Sequence, residues 1–374
     1  MADKNELLDV IAASLLPLLQ AMDTLTWARQ RLEPYGMNNL VNAINEHASP
    51  LKAALPSFRS TEWPRDLVNF QTLFDQSATA TLLAYQGLEE ASKVEGFDAL
   101  RAARRSIQSH LLAERTLYPL ASMSTPISQY YLPHERREDE DLLSKLDAAY
   151  DKTVGNAGFR ECLGVGNEIR GGYAVYIPEY LDPIVPAPVV LALHGGRGRG
   201  PDFIWSWLPA ARASGSVLIA PTAIGETWAI AGEDLDSPNI SRILDEVENS
   251  QTLDRSKILM TGMSDGGTFS YVSGLPDGSP ATHIAPFAAS FHPLLLEFVS
   301  SDRLSAVPIR ITHGTRDWMF PIDVAHIAED AFRSKSARLT FIELEDRAHV
   351  FPQDEAACTI DWFLNGEKIG RAHV

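Results

Sequence analysis

Thr261-Gly262-Met263-Ser264-Asp265-Gly266-Gly267 lies between an apolar run that reads as a strand, Lys257-Ile258-Leu259-Met260, and Thr268-Phe269-Ser270-Tyr271-Val272-Ser273, which reads as the opening of a helix. A G-x-S-x-G segment between a strand and a helix describes a nucleophile elbow, in which small residues on either side of the serine let the backbone turn tightly and hold the hydroxyl outward. Ser264 is therefore the candidate nucleophile. With glycine and serine each near ~7% of residues, a chain of this length meets the pattern by accident about one time in ten, so its surroundings have to carry the reading. Acyl transfer at an elbow also needs oxyanion donors upstream, then an acid and a histidine downstream.

Outward from the elbow, the chain after Gly164 alternates short apolar runs with helical ones, the pattern of an α/β sheet. Tyr173–Ile177 reads as an edge strand and Pro188–Leu193 as a buried central one; further strands are expected at 216–220, 257–260, 284–290, 308–312 and 338–344. Ligands of open α/β sheets sit outside the carboxyl ends of the strands, and each chemical candidate falls just past such an end. His194-Gly195-Gly196-Arg197-Gly198-Arg199-Gly200 follows the central strand. Its glycines let backbone N–H groups approach an oxyanion, so the N–H of Gly196, with Arg197 close behind, is expected to act with the N–H of Asp265. The run has no G-K-[ST] ending, which argues against a phosphate loop. Asp317, in His313-Gly314-Thr315-Arg316-Asp317-Trp318-Met319-Phe320-Pro321, is the expected acid. His349, in Asp346-Arg347-Ala348-His349-Val350-Phe351-Pro352, is the histidine that fits after the last strand. The order Ser264, Asp317, His349 separates this chain from the two other well-known serine-hydrolase orders. Trp205, Trp207, Trp228, Trp318, Met319, Phe320 and His292 fall in segments expected at the same rim. Trp318, Met319, Trp228 and His292 are taken as candidate pocket residues for an acyl or aromatic group, with ordinary packing as the alternative.

The blocks Leu193-His194-Gly195-Gly196, Gly262-Met263-Ser264-Asp265-Gly266, His313-Gly314-Thr315-Arg316-Asp317 and Asp346-Arg347-Ala348-His349 resemble those of the α/β-hydrolase superfamily. They are most similar to its phospholipase/carboxylesterase and polyester-depolymerase-like esterases, and Tyr176–Pro183 looks like the lead into their oxyanion strand. The resemblance covers about 171–365. It implies an α/β-hydrolase fold, a mostly parallel sheet flanked by helices, and a serine esterase that needs no cofactor and no metal and takes a small-molecule ester. Asp265 departs from the pattern, since many relatives carry a neutral residue beside the nucleophile; the charge suits a helix start but has to point away from the oxyanion.

Residues 1–150 read instead as an all-α domain. Leu7, Val10, Ile11, Leu15, Leu18 and Leu19 recur at helical steps, and further helical runs are expected near 34–55, 66–90, 98–113 and 138–150. This region carries no chemical constellation; a lid or cap and a homo-oligomer interface are the two roles weighed for it. The catalytic domain is expected over 151–368. The last six residues, Ile369-Gly370-Arg371-Ala372-His373-Val374, back-translate as ATC GGA AGA GCA CAC GTC, the core of a common sequencing-library adapter. They are expected to be a scar of an environmental (metagenomic) DNA fragment, with the native C-terminus missing.

Composition bounds the rest. The chain has 374 residues, 45% of them hydrophobic and 22% charged, enough for a full core and more than one domain. A net charge of −17 repels nucleic-acid phosphates and anionic lipids, so neither is expected as a partner. Cys162 and Cys358 lack any paired-ligand spacing and are expected to be idle thiols. Asp3, Glu6 and Asp9 around a short apolar stretch broken by Pro17 do not make a secretory signal, and no apolar run is expected to span a bilayer, which sets a cytoplasmic expectation. Two competing functions remain: a serine peptidase or amidase with the same triad, and an inactive hydrolase fold used as a binding module.

Overall fold

The computed structural model describes residues 4–150 and 157–366; the proposed adapter scar at 369–374 lies outside them. The chain divides into two compact units, Met1–Tyr131 and Leu132–Val374. The division comes earlier than the sequence suggests because the helix Glu140–Tyr150 packs within the second unit. Its Leu142 and Leu146 cluster with Leu132, Tyr180 and Ala213, and the Tyr150 hydroxyl meets the fully buried Arg212, which also pairs with Glu179 at 3.2 Å.

The first unit is all helical, as its periodicity predicts. Its helices Val68–Ala91 and Phe97–Leu117 approach so closely that a methyl on Gly87 would lie 3.0 Å from the Ser106 amide. The helix Lys4–Arg29 corrects one expectation. Over Asn5–Arg29 it is long and apolar enough to cross a membrane, with a mean hydropathy of 1.4. Leu18, Met22 and Leu25 nevertheless face the core of their own unit, and a membrane position would carry Asp9 and Asp23 into hydrocarbon at considerable cost.

Inside this unit Glu114 is buried, and burial pushes its carboxyl up to about 7 although Arg29 stands 3.6 Å away. His110, one turn earlier, is pushed well below its ordinary range, again by burial. Because the folded Glu114 holds its proton more tightly than the unfolded one, its contribution is full below the unfolded value of 4.5 and is lost as pH rises through about 7. Glu114→Gln is therefore expected to melt with the wild type near pH 5 and above it at pH 8, by an amount on the order of 2–3 kcal/mol. Paired melting curves of the full chain at the two pH values check this; equal melting at both would show that Glu114 ionises freely in the fold.

The second unit is built on one eight-stranded sheet of order β1-β2-β4-β3-β5-β6-β7-β8. Its strands are β1 Gly158–Cys162, β2 Tyr173–Ile177, β3 Ala187–Leu193, β4 Val217–Pro221, β5 Leu253–Met263, β6 His283–Phe287, β7 Ile309–Gly314 and β8 Leu339–Leu344. β1 and β2 run antiparallel to their neighbours; the rest are parallel. Parallel strands are covered by helices on both faces, which is why Val189–Leu193 is an unbroken apolar run and fully buried. β2 is not the edge strand its sequence suggests, because the less apolar β1, whose pattern reads weakly, pairs outside it, Cys162 opposite Tyr173. The parallel order sends the chain after β3, β5, β7 and β8 to the same rim.

Candidate active site

The elbow forms because β5 has to turn into the helix Asp265–Gly274 while touching β3. A methyl on Gly262 would lie 2.5 Å from the Gly266 carbonyl carbon, and one on Gly266 would lie 2.2 Å from the Leu193 carbonyl oxygen, so neither position admits a side chain. Between them Ser264 adopts φ 57° and ψ −121°, a conformation that costs an L-residue about 1–3 kcal/mol. It is held by its N–H to the Phe287 carbonyl at 3.0 Å and by its own carbonyl, which accepts the Thr268 N–H at 2.8 Å.

The Ser264 hydroxyl lies 3.0 Å from His349 Nε2, and His349 Nδ1 lies 2.8 Å from Asp317 Oδ2. The remaining oxygen, Asp317 Oδ1, accepts the N–H groups of Met319 at 2.9 Å and Phe320 at 2.8 Å. The acid is thus fixed by its own turn. The acid and histidine loops are zipped together: Thr315 N–H reaches the Leu344 carbonyl, and Arg316 N–H the Arg347 carbonyl, each at 3.0 Å. Asp346, the other acid beside the histidine, is 64% exposed and pairs with Arg347 rather than with the ring. His313 sits behind the acid. Its Nε2 lies 2.7 Å from the Phe320 carbonyl, to which it donates, and 3.5 Å from Asp317 Oδ2; burial lowers its pKa, which keeps the ring neutral.

The loop after β3, the expected oxyanion loop, is organised by His194. Its Nδ1 donates to the Gly195 carbonyl at 2.7 Å and its Nε2 accepts the Ala223 N–H at 3.1 Å, which fixes one neutral tautomer; burial pushes its pKa down to about 4. Among the described residues, no hydrogen bond is made by the N–H of Gly196 or of Asp265. Arg197 differs from expectation. In a left-handed turn at φ 59°, its N–H is given to the Glu226 carbonyl at 3.2 Å and is unavailable to an oxyanion.

The aromatic candidates separate. Trp318 stands edge-on to the His349 ring with centroids 5.6 Å apart, as does Phe320 at 5.4 Å, and Met319 beside them is 47% exposed. Trp228 is a core residue and not a pocket wall: it is 3% exposed, stacks on Phe269 and donates its Nε1–H to the His194 carbonyl at 2.8 Å. Trp207 is buried against Phe287 and Phe351, and Trp205 against Phe159. His292 is exposed and spends Nδ1 on the Leu294 N–H at 3.2 Å, closing the turn after β6. What the sequence did not reveal is the supporting stretch 222–230, whose Ile224 and Ala229 N–H groups are held by the buried Asp236 at 2.8 and 2.9 Å. A separate cavity of about 310 Å³, lined by His283, Arg338 and Trp362, lies at the amino ends of the strands, away from this chemistry.

The sheet order and the strained turn from β5 into the following helix give the second unit an α/β-hydrolase fold. Residues 219–365 match the model of the Dienelactone hydrolase family. The chain is similar to the bifunctional acetylxylan esterase/xylanase XynS20E of Neocallimastix patriciarum, 32% identical over 160 residues, which covers 41% of this chain and 22% of that protein. It is likewise similar to the probable feruloyl esterase C of Aspergillus niger, 32% identical over 139 residues, 34% of this chain and 51% of that one. The chain therefore spans about a fifth and about a half of the length of these two relatives. Among solved structures, the thermophilic esterase Est2 of Thermogutta terrifontis aligns over 58% of this chain and 95% of its own, with 17% identity and a TM-score of 0.45.

Proposed function

We propose that this chain is a serine esterase that cleaves carboxylic esters through an acyl-enzyme intermediate. The observation that carries the reading is the hydrogen-bonded row from the Ser264 hydroxyl through His349 to Asp317, at 3.0 and 2.8 Å. In this reading His349 Nε2 takes the serine proton as the oxygen attacks the ester carbonyl, and the N–H groups of Gly196 and Asp265 hold the oxyanion. The imidazolium then gives its proton to the departing alcohol. Water repeats the sequence on the acyl-enzyme, releasing the acid and restoring the hydroxyl. Asp317 holds Nδ1 protonated, so that Nε2 presents a lone pair to the serine.

The two curated relatives, an acetylxylan esterase and a feruloyl esterase, make acetyl and feruloyl esters the first substrates to test. Trp318 and Phe320, edge-on to the histidine, supply apolar surface for an acyl group beside the ester. The test is inactivation by an organophosphate with mass mapping of the adduct, alongside hydrolysis of p-nitrophenyl acetate and of an aminoacyl anilide. Labelling at Ser264 with the ester preferred supports the reading; anilide preference would make the chain an amidase. No label and no turnover would leave a binding module.

A further inference from the structure

Asp265 is the anomalous residue of the site. Its N–H belongs to the proposed oxyanion hole, yet its side chain brings a carboxylate close to where negative charge develops, which electrostatics alone disfavours. The structure shows where that carboxylate goes. Its Oδ2 accepts the Thr227 hydroxyl at 2.5 Å, and the same oxygen lies against Gly196, where an added methyl would come within 2.7 Å of it. One side chain thus touches the oxyanion loop and the stretch 222–230 at once.

That stretch grips the oxyanion loop at other points as well, among them the Gly200 N–H, which donates to the Thr222 hydroxyl at 2.9 Å. The Ala223 N–H meets His194 Nε2 at 3.1 Å, Trp228 Nε1–H meets the His194 carbonyl at 2.8 Å, and the Glu226 carbonyl takes the Arg197 N–H at 3.2 Å. Asp236 holds the stretch from beneath through Ile224 and Ala229. All of these bonds concern one of the two segments that supply oxyanion donors. Among the described residues, the Thr227–Asp265 bond is the side-chain hydrogen bond that joins this stretch to the other segment, the first turn of the helix after the nucleophile, whose Gly266 also packs against the Leu193 and His194 carbonyls. The two donors, on Gly196 and Asp265, come from separate segments, so their spacing depends on what ties those segments together.

We propose that the Thr227–Asp265 hydrogen bond is a latch that sets the spacing of the oxyanion hole and turns the Asp265 carboxylate away from the oxyanion. The inference rests on the serine-hydrolase reading. Thr227 is a positioning residue in it and touches no substrate. Removing the hydroxyl lets the carboxylate swing and the loop drift, and a displacement of about 1 Å at such a site is enough to cost on the order of 10²-fold in rate.

The experiment compares Thr227→Val, Thr227→Ser and the wild type in p-nitrophenyl acetate hydrolysis and in inhibition by phenylboronic acid, whose serine adduct is tetrahedral. Thr227→Val is expected to lose about 10- to 100-fold in kcat with KM within about threefold, and to weaken boronate inhibition by a similar factor. Thr227→Ser, which keeps the hydroxyl, is expected to restore both. A Thr227→Val enzyme with wild-type kcat, a change confined to KM, or a serine variant as impaired as the valine one would each overturn the latch. Where the valine variant fails to fold, Asp265→Ala and Asp265→Asn carry the same comparison. The asparagine keeps an acceptor for Thr227 and is expected to be the faster of the two by about tenfold; equal losses would assign the effect to charge and overturn the proposal. A wild type inert to ester and organophosphate alike would overturn the serine-hydrolase reading and the latch with it. An active wild type with an unaffected Thr227→Val would overturn the latch alone.

Discussion

Ser264→Ala is expected to lower kcat for ester hydrolysis by roughly 10⁶-fold, the scale on which an acyl-transfer enzyme loses its nucleophile. The change deletes one oxygen, whose hydrogen-bond partner among the described residues is His349 Nε2 at 3.0 Å. The backbone bonds that shape the turn, from Ser264 N–H to Phe287 and from Thr268 N–H to the Ser264 carbonyl, do not involve that oxygen. Fold and melting temperature should therefore stay close to wild type while activity disappears. A companion variant separates strain from chemistry. Ser264→Gly also loses the nucleophile, but glycine accepts φ 57° without penalty, so it should melt higher than Ser264→Ala by about 1 kcal/mol in stability. Full turnover by either variant would sink the assignment of the nucleophile, and identical melting would show that the turn is not strained.

That these positions could be read from sequence has a physical basis. Gly262 and Gly266 are forced by contact with β3, and a site fixed by backbone collision leaves a local signature. Asp317 and His349 were legible because parallel strands return every loop to one rim, so position just past a strand identifies the place where a partner is required. The supporting residues follow no such rule. Thr227 acts through one hydrogen bond and Asp236 through two across a loop, and nothing in Ala223-Ile224-Gly225-Glu226-Thr227-Trp228 marks which side chain bonds to what. Trp228 reads from sequence as a pocket residue because a tryptophan near a rim suits both a wall and a prop. Only its indole N–H, given to the His194 carbonyl, decides for the prop. Arg197 departs from expectation for a related reason: chain proximity to Gly196 does not reveal that its N–H is already given to the Glu226 carbonyl. β1 escaped notice because an outer strand needs little apolar character to pair.

Asp317→Asn is expected to reduce kcat by about 10⁴-fold, and the hydrogen bonds around the acid give the reason. Asp317 Oδ1 accepts two N–H groups, from Met319 and Phe320 at 2.9 and 2.8 Å, while Oδ2 faces His349 Nδ1 at 2.8 Å. An asparagine has one acceptor oxygen and one NH₂ donor. The two backbone donors claim the oxygen, which leaves the NH₂ against His349. Nδ1 then has to accept, the ring proton moves to Nε2, and the histidine offers Ser264 a donor where catalysis needs an acceptor. The geometry survives but the tautomer is wrong, so the variant should fold, bind ester with nearly unchanged KM and turn over slowly. Asp346→Asn is the control: its carboxylate is 64% exposed and pairs with Arg347, so its loss should change kcat by no more than about threefold. Steady-state kinetics of the two variants with p-nitrophenyl acetate decide the matter. Turnover kept by Asp317→Asn and lost by Asp346→Asn would move the acid to the other loop and would require the histidine to rotate away from the orientation that brings it within 3.0 Å of the serine.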